Sequence, residues 1–223
     1  MSSLEVRDLG MVSYGEALAI QKEVAEQRKR GEIPDQLLIV EHPHVITLGR
    51  NGRLENLLAS GEILERTGIS FHHTDRGGDI TYHGPGQIVG YPIFDLREWK
   101  RDVVAYVRAM EQVLIDTLAD FGLVAGRVHG CTGVWVGSDP ARKIAAIGVH
   151  ISRWITTHGF ALNHTTDLRY FQYIVPCGIT KPVTSMRELG SNAARQDVVD
   201  SLAQHFAHTF DRKITTSLVE TIS

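Results

Sequence analysis

The stretch from 134 to 163 constrains the fold more than any other part of this sequence, because β-branched and aromatic residues dominate it and turns interrupt it. This composition is typical of strands in a half-buried sheet. We predict three consecutive strands here and expect them to pair antiparallel, over residues 133–136, 143–152 and 157–163. This part of the chain is therefore predicted to form a sheet.

Long helices are few. Apolar residues recur at helical spacing over 102–121, and we predict two further helices over 13–30 and 197–210. Strand-rich blocks that alternate with only a few long helices predict an α/β protein of the α+β type, with a mixed, mainly antiparallel sheet flanked by helices. No repeat or linker divides the chain, so we expect a single domain over 1–223.

The composition narrows the classes of partner and location. A formal net charge of −3 gives no basic surface, which weighs against nucleic acid as a partner. Two cysteines are too few for a disulfide framework and fit a reducing compartment. The N-terminus lacks a signal-peptide pattern, and no stretch approaches the roughly 18 apolar residues of a membrane helix. We therefore expect a cytoplasmic protein with neither nucleic-acid nor membrane partners.

A glycine-rich segment from 75 to 87 reads Asp-Arg-Gly-Gly-Asp-Ile-Thr-Tyr-His-Gly-Pro-Gly-Gln. Its glycines and proline predict tight turns, whose amide N–H groups can bind a carbonyl, carboxylate or phosphate group. The segment matches neither the phosphate-binding loop nor the dinucleotide fingerprint, so we expect no nucleotide cofactor. A pair of structural β-turns is the alternative, but Arg76, Tyr82 and His83 favour a binding site.

Two reactive side chains stand in unusual settings. Lys143 begins an apolar strand, where strict alternation places it on the same face as Ala145 and Ile147 and partly desolvates its ammonium group. The alternative is a lysine at the solvated start of a strand. Cys177 lies between a proline and a glycine, on a turn that can expose its thiol to a cleft. Free cysteines, however, more often pack as small hydrophobic residues.

Eleven histidines raise the question of a metal site. The closest clusters are His42 with His44 and His72 with His73, and neither has a carboxylate or second cysteine at ligand spacing. We therefore expect no metal and no other cofactor. His83 is the histidine that we expect to be functional, because it lies in the glycine-rich segment.

Four motifs in this order resemble the lipoyl(octanoyl) transferase family: 76–87 as quoted above, 143–148 (Lys-Ile-Ala-Ala-Ile-Gly), 158–163 (His-Gly-Phe-Ala-Leu-Asn) and 176–179 (Pro-Cys-Gly-Ile). The likeness is strongest over 37–190. It implies the α/β fold that biotin and lipoate protein ligases share. It also implies an enzyme of lipoate biosynthesis that moves an octanoyl group from acyl carrier protein to a lysine of lipoyl domains.

The resemblance assigns roles to residues. Cys177 corresponds to the nucleophile that forms an acyl thioester, and Lys143 to the lysine that lowers the thiol pKa and shuttles protons. The substrate-binding segments correspond to Arg76, Gly77, Gly78, Asp79, Ile80, Thr81, Tyr82, His83, Ala146, Ile147, Gly148, Gly159, Phe160 and Ala161. The family often has proline just before the Gly-Val-Trp strand, where this chain has Cys131 and Thr132. That departure leaves the role of Cys131 open.

Two rival functions remain. An ATP-dependent lipoate or biotin ligase would share the fold and the lysine but would not need a cysteine nucleophile. This chain also lacks the Gly-Arg-Gly-Arg segment associated with biotin ligases. An inactive module that binds acyl carrier protein is the second rival, and the presence of both Cys177 and Lys143 argues against it.

Overall fold

The computed structural model describes residues 2–175 and 182–216. Its helices are α1 (Tyr14–Lys29), α2 (Gly61–Thr67), α3 (Val103–Asp120) and α4 (Arg195–Thr209). Its strands are β1 (Ser2–Met11), β2 (Asp35–Glu41), β3 (Val45–Leu48), β4 (Ser70–His73), β5 (Ile80–His83), β6 (Gln87–Ile93), β7 (Ala125–Val128), β8 (Cys131–Val136), β9 (Arg142–Ser152), β10 (Ile155–Asn163) and β11 (Arg212–Thr216). Short 3₁₀ helices at Leu54–Asn56, Leu96–Glu98 and Leu168–Tyr173 lie in the connections.

The strands form two sheets. The main sheet has the order β11-β1-β2-β6-β10-β9-β8-β7, and the small sheet has the order β4-β3-β5. In the main sheet β1 runs parallel to both of its neighbours, β11 and β2. All the other neighbouring strands of that sheet pair antiparallel. The predicted mixed, mainly antiparallel sheet is therefore confirmed.

The predicted helices and strands form close to their expected limits. The side chain of Ser13 accepts a hydrogen bond from the Glu16 N–H at the start of α1, and that of Asp102 accepts one from the Ala105 N–H at the start of α3. These oxygens satisfy N–H groups that have no partner within the first helical turn. The three strands predicted between 133 and 163 form β8, β9 and β10, consecutive and antiparallel.

The central strands of the main sheet are buried on both faces. Leu37 and Ile39 of β2 join the core cluster of α3 and α4, while Leu38 and Val40 join a second cluster that includes α1. Successive residues of a strand point to opposite faces, so both sides of an interior strand must be apolar. A third cluster lies in and around the small sheet. Within the described residues, no helix is long and apolar enough to cross a membrane.

Candidate active site

A cavity of about 400 Å³ lies between the main sheet, the small sheet and the start of α1. This is a size that holds a small-molecule ligand. Most of the predicted site residues line it: Arg76, Gly78, Asp79, Ile80, Thr81, His83, Lys143, Ala146, Ile147, Gly148, Gly159, Phe160 and Ala161. The structure therefore brings three of the four sequence motifs to one cavity. The fourth contains Cys177, which lies outside the described residues.

The floor of the cavity consists of three rows of residues across β9, β10 and β6. The register of the sheet pairs Asn163 with Gln87, Ala161 with both Ala146 and Val89, and Gly159 with Gly148. We call the three rows the polar row (Asn163 and Gln87, beside Lys143), the alanine row (Ala146, Ala161 and Val89) and the glycine row (Gly148, Gly159 and Tyr91). Successive rows are two residues apart along a strand. The polar and glycine rows are therefore four residues apart, which is a distance of about 13 Å. The cavity thus runs from a polar end at Lys143 over a floor of small residues.

A β-bulge orients Lys143 towards the cavity. Trp135 pairs with Lys143, and Val134 with Ala145, so Ile144 is an extra residue on β9. A bulge breaks the alternation of side chains along a strand. As a result Lys143 and Ala146 line the cavity, whereas Ala145 packs in the main core. The predicted placement of Lys143 on the same face as Ala145 is therefore wrong.

The ammonium group of Lys143 lies over an aromatic ring. Its Nζ atom is 4.7 Å from the ring centroid of Trp135, within the range of a cation–π contact. Gly133, with φ of +116°, makes the bulge possible, because a Cβ atom there would lie 2.6 Å from the carbonyl oxygen of Ala145. The bulge thus depends on a residue without a side chain at this point.

The described residues on either side of 176–181 form backbone hydrogen bonds with other parts of the chain. Before the gap, the Val175 N–H donates to the Asn56 carbonyl at 2.8 Å. After the gap, the Pro182 carbonyl accepts from the Lys143 N–H at 2.9 Å, and the Thr184 N–H donates to the Lys143 carbonyl at 2.9 Å. The chain therefore returns to the backbone of Lys143 five residues after Cys177 in the sequence.

Two predicted site residues do not line the cavity. The Gly77 N–H donates to the Val149 carbonyl at 2.8 Å, which ties the glycine-rich segment to β9. Tyr82 points to the opposite side of β5 from His83, where its hydroxyl group bonds His44 Nδ1 at 2.8 Å. Burial raises the pKa of the Tyr82 hydroxyl. Both residues therefore support the walls of the cavity from behind.

Hydrogen bonds fix the state of His83. Its Nδ1–H donates to Oε1 of Gln87 at 2.8 Å, and the Gln87 amide nitrogen donates to Oδ1 of Asn163 at 2.9 Å. Burial, reinforced by nearby His42, lowers the pKa of His83 to about 3, although the Gln87 bond opposes the shift. His83 is therefore neutral near pH 7, with Nδ1 protonated and Nε2 left as an acceptor.

His158 is a site residue that sequence analysis missed. It lines the cavity with φ of +57°, an uncommon conformation for a residue with a side chain. Its N–H donates to Oε1 of Gln21 at 2.8 Å, and its ring donates to Oδ1 of Asp75 at 2.7 Å. Burial lowers the pKa of His158, and the Asp75 bond opposes this shift. The sequence motif contained His158, but the local pattern gave no sign of this backbone conformation.

Tyr14 and Tyr91 are two further cavity residues that the sequence did not indicate. The Tyr91 hydroxyl donates to Nε2 of His42 at 2.7 Å, and Nδ1 of His42 donates to the Val12 carbonyl at 2.6 Å. Burial lowers the pKa of His42 to about 4, so this ring is also neutral near pH 7. In the parts of the chain that the structure describes, no three His, Cys, Asp or Glu side chains converge as metal ligands.

Known proteins resemble this chain over nearly its whole length. Residues 13–207 match the family of the lipoyl protein ligase A/B catalytic domain. An octanoyltransferase of Solibacter usitatus is 65% identical over 206 residues, which is 92% of this chain and 92% of the relative. This chain belongs to the octanoyltransferase family. An octanoyltransferase of Koribacter versatilis is 52% identical over 95% of this chain and 86% of its own length, which supports the same family.

Solved structures show how far the octanoyltransferase fold is shared. A bipartite lipoate protein ligase from Thermoplasma acidophilum aligns with a TM-score of 0.75 at 16% identity, over 97% of this chain and 87% of that protein. A biotin protein ligase from Aquifex aeolicus aligns with a TM-score of 0.53 at 9% identity, over 95% of this chain and 70% of that protein. The predicted family, fold and acyltransferase class are confirmed. The single domain over 1–223 and the cytoplasmic location stay predictions.

Proposed function

We propose that this enzyme takes the octanoyl group from an acyl carrier protein, holds it as a thioester on Cys177, and passes it to a lysine of a lipoyl domain. Octanoyl transfer itself follows from the family. The observation that most supports the cysteine route is the pair of backbone hydrogen bonds between Lys143 and residues 182 and 184. They bring the chain that follows Cys177 back to Lys143, the one lysine among the described residues that line the cavity.

The floor of the cavity suits a saturated acyl chain. Its alanine and glycine rows present small apolar surface, and the polar row at the Lys143 end can face the thioester group. Each buried methylene group contributes about 0.8 kcal/mol. An octanoyl chain reaches about 9 Å when extended, which is shorter than the span from the polar row to the glycine row.

In the first step the Cys177 thiolate attacks the carbonyl carbon of the donor thioester. A new C–S bond forms to Cys177 while the C–S bond to the carrier breaks, and the carrier leaves as a thiol because its sulfur takes a proton from the Lys143 ammonium group, which leaves Lys143 neutral. One thioester replaces another, so this step needs no ATP. The role of Lys143 is to favour the thiolate form of Cys177 with its positive charge.

In the second step the acceptor lysine attacks the acyl-enzyme as a neutral amine. An amide C–N bond forms, the C–S bond to Cys177 breaks, and the thiolate is restored. The amine must lose a proton as it becomes an amide, and Lys143 is the proton acceptor that we assign. The lipoyl domain is a reasonable acceptor because the Thermoplasma ligase of similar fold belongs to a lipoylation system that was analysed with its E2 lipoyl domain.

An ATP-dependent ligase is the rival on the same fold, since a lipoate-protein ligase A of TM-score 0.76 was solved with ATP. At 16% identity that likeness reports only the fold. A direct experiment separates the two functions. The protein is mixed with octanoyl-acyl carrier protein without ATP, and its intact mass is measured. We expect a covalent octanoyl adduct.

Two cysteine variants complete this experiment. Cys177→Ala should acquire no octanoyl group, whereas Cys131→Ala should still acquire one, because it removes the only other thiol of the chain. An adduct on Cys177→Ala would disprove the assignment of the nucleophile. A wild-type enzyme that stays unmodified without ATP but modifies lipoyl domains with octanoate and ATP would support the ligase instead.

A further inference from the structure

The end of the cavity opposite Lys143 is lined by aromatic rings. Tyr91 ends the glycine row, and Tyr14, the first residue of α1, lies beside it with only 4% of its surface exposed. The Tyr14 ring stacks on His83 with 6.2 Å between ring centroids and 12° between planes. It also contacts His42 and His72 with centroid distances of 5.6 and 5.3 Å.

The rings behind Tyr14 leave it little freedom to move. His42 is bonded on both nitrogen atoms, and His83 is bonded through Nδ1 to Gln87. Tyr14 is anchored from the other side because Ser13 caps α1. A ring that is packed on fixed neighbours cannot turn aside at low cost, because protein interiors are close-packed.

We propose that Tyr14 is a specificity-determining residue that sets the upper limit on the length of the acyl chain. The proposal rests on the proposed function in one respect only, that the acyl chain lies along the alanine and glycine rows with its carbonyl at Lys143. A chain of eight carbons ends before the glycine row is passed. A chain of twelve carbons has to push its terminal methyl group against the Tyr14 ring.

The chemistry of this end adds to the steric limit. Within the described residues the Tyr14 hydroxyl forms no hydrogen bond of ordinary geometry, and burial raises its pKa despite the nearby Thr74 hydroxyl and Arg76 charge. The His83 ring that stacks on Tyr14 adds further polar atoms at this end. A methyl group that entered here would cover polar groups without replacing their partners, which disfavours long chains by a second mechanism.

The test is a chain-length series with the binding of free fatty acids as the main measurement. Octanoate, decanoate and dodecanoate are titrated into the wild-type enzyme by calorimetry. An open cavity would bind the acid about fourfold more tightly for each added methylene group. We expect the gain to stop after octanoate, with dodecanoate binding no more tightly. A continuous gain up to dodecanoate would overturn the proposal without any variant.

Variants assign the limit to Tyr14. Tyr14→Ala should raise the ratio of dodecanoate to octanoate affinity at least tenfold, and Tyr14→Leu should do so if the alanine variant does not fold. Tyr14→Phe keeps the ring and should stay within twofold of wild type. Val24→Ala is the matched control, since Val24 is a buried residue of the same helix that does not line the cavity. A folded Tyr14→Ala with the wild-type ratio would overturn the proposal.

A second experiment measures acyl transfer and distinguishes a failure of this proposal from a failure of the proposed function. The same proteins are mixed with octanoyl- and dodecanoyl-acyl carrier protein, and the rates of adduct formation are compared by intact mass. Tyr14→Ala should shift this ratio in the same direction as the binding ratio. If no adduct forms on any protein, the cysteine mechanism fails, but the affinities of the free acids still decide the role of Tyr14.

Discussion

The Nδ1–H of His83 donates to the amide oxygen of Gln87 at 2.8 Å, and this bond determines which nitrogen of a cavity histidine is protonated. The Gln87 amide cannot rotate to offer its nitrogen instead, because that nitrogen already donates to Asn163. A residue of the polar row therefore controls the protonation pattern of the opposite wall. Burial keeps the His83 ring neutral, and this link between two strands leaves its Nε2 atom as the acceptor.

The first prediction concerns acid stability. His42 and His83 have pKa values of about 4 and about 3 in the folded protein, below the ordinary value of 6.5, because burial disfavours their charged forms. Below pH 6.5 the unfolded chain therefore binds more protons than the folded chain. The free energy of unfolding consequently decreases as the pH is lowered. At pH 5.5 each histidine should cost about 1.4 kcal/mol relative to pH 7.5. Urea denaturation at the two pH values measures this loss.

A pair of variants separates the buried histidines from the rest. His83→Asn should lose stability at pH 7.5 but show a smaller further loss at pH 5.5 than wild type. His129→Gln, at an exposed position, should keep the wild-type dependence on pH. An equal dependence on pH in all three proteins would show that His83 does not cause the acid sensitivity.

The second prediction tests how closely the backbones of β10 and β6 approach each other at Gly159 of the glycine row. A Cβ atom on Gly159 would lie 2.1 Å from the Gly90 carbonyl oxygen, a clash between two backbone segments of paired strands. Gly159→Ala should therefore lose about 1–3 kcal/mol or more of stability, measured by urea denaturation. Gly15→Ala is the control, because a Cβ there meets nothing within 4 Å and a helix favours alanine over glycine. A stable Gly159→Ala would mean that the strands can separate locally.

The third prediction concerns a buried carboxylate behind Lys143. Glu111 of α3 is fully buried, and its Oε1 accepts the Gly133 N–H at 3.1 Å, next to the bulge. Its Oε2 pairs with Arg108 at 2.7 Å and Arg127 at 3.0 Å. Glu111→Ala should lose about 1–3 kcal/mol, because the buried Gly133 N–H then has no partner. Acyl transfer should also slow, since the bulge orients Lys143.

The matched variant for Glu111 is Arg108→Ala. The Arg108 side chain is 52% exposed, so its ion pair should contribute less than about 1 kcal/mol. Both variants break the same salt bridge, but only Glu111→Ala leaves the backbone of the bulge without its partner. Equal losses in stability and rate would refute the role of Glu111 in holding the bulge.

The fourth prediction separates the charge of Lys143 from its ability to accept a proton. In the proposed mechanism the charge of Lys143 favours the Cys177 thiolate, so Lys143→Ala should raise the pH midpoint of Cys177 alkylation. Lys143→Arg keeps the charge, so its midpoint should stay near that of wild type. Arginine does not lose its proton in proteins, so this variant should still form the acyl-enzyme but pass the octanoyl group on slowly. An unchanged midpoint in Lys143→Ala would remove the charge from the mechanism.

Sequence periodicity was enough for the parts of the fold that depend on local pattern. The helix at Val103–Asp120 has apolar residues at helical spacing and an aspartate cap, and β8 to β10 follow one another in the chain. Periodicity could not place β1 between β2 and β11, because α1 separates β1 from β2 in the sequence and β11 lies at the other end of the described chain. Such pairing depends on tertiary packing rather than on local propensity.

The site was predictable as a set of motifs but not as a shape. The glycine-rich segment and the strand of Lys143 were found from the sequence, yet the orientation of Lys143 depends on one extra residue, Ile144, that shifts the alternation of β9. The sequence does not mark a bulge of this kind. Tyr14 and His158 were missed for a related reason. The local sequence pattern predicts the helix or strand on which each lies, but not that its side chain reaches the cavity.

The strands beneath the cavity have a consequence for how substrate binds. β6 and β10 supply the alanine and glycine rows on one face and Ile88 and Leu162 of the main core on the other. The floor is therefore preorganised, since it cannot rearrange without disrupting the core of the whole molecule. An acyl chain that settles on it incurs little of the entropy cost of ordering a binding surface. Backbone amides of β6 and β10 should accordingly exchange hydrogen at nearly the same slow rate with and without a bound acyl group.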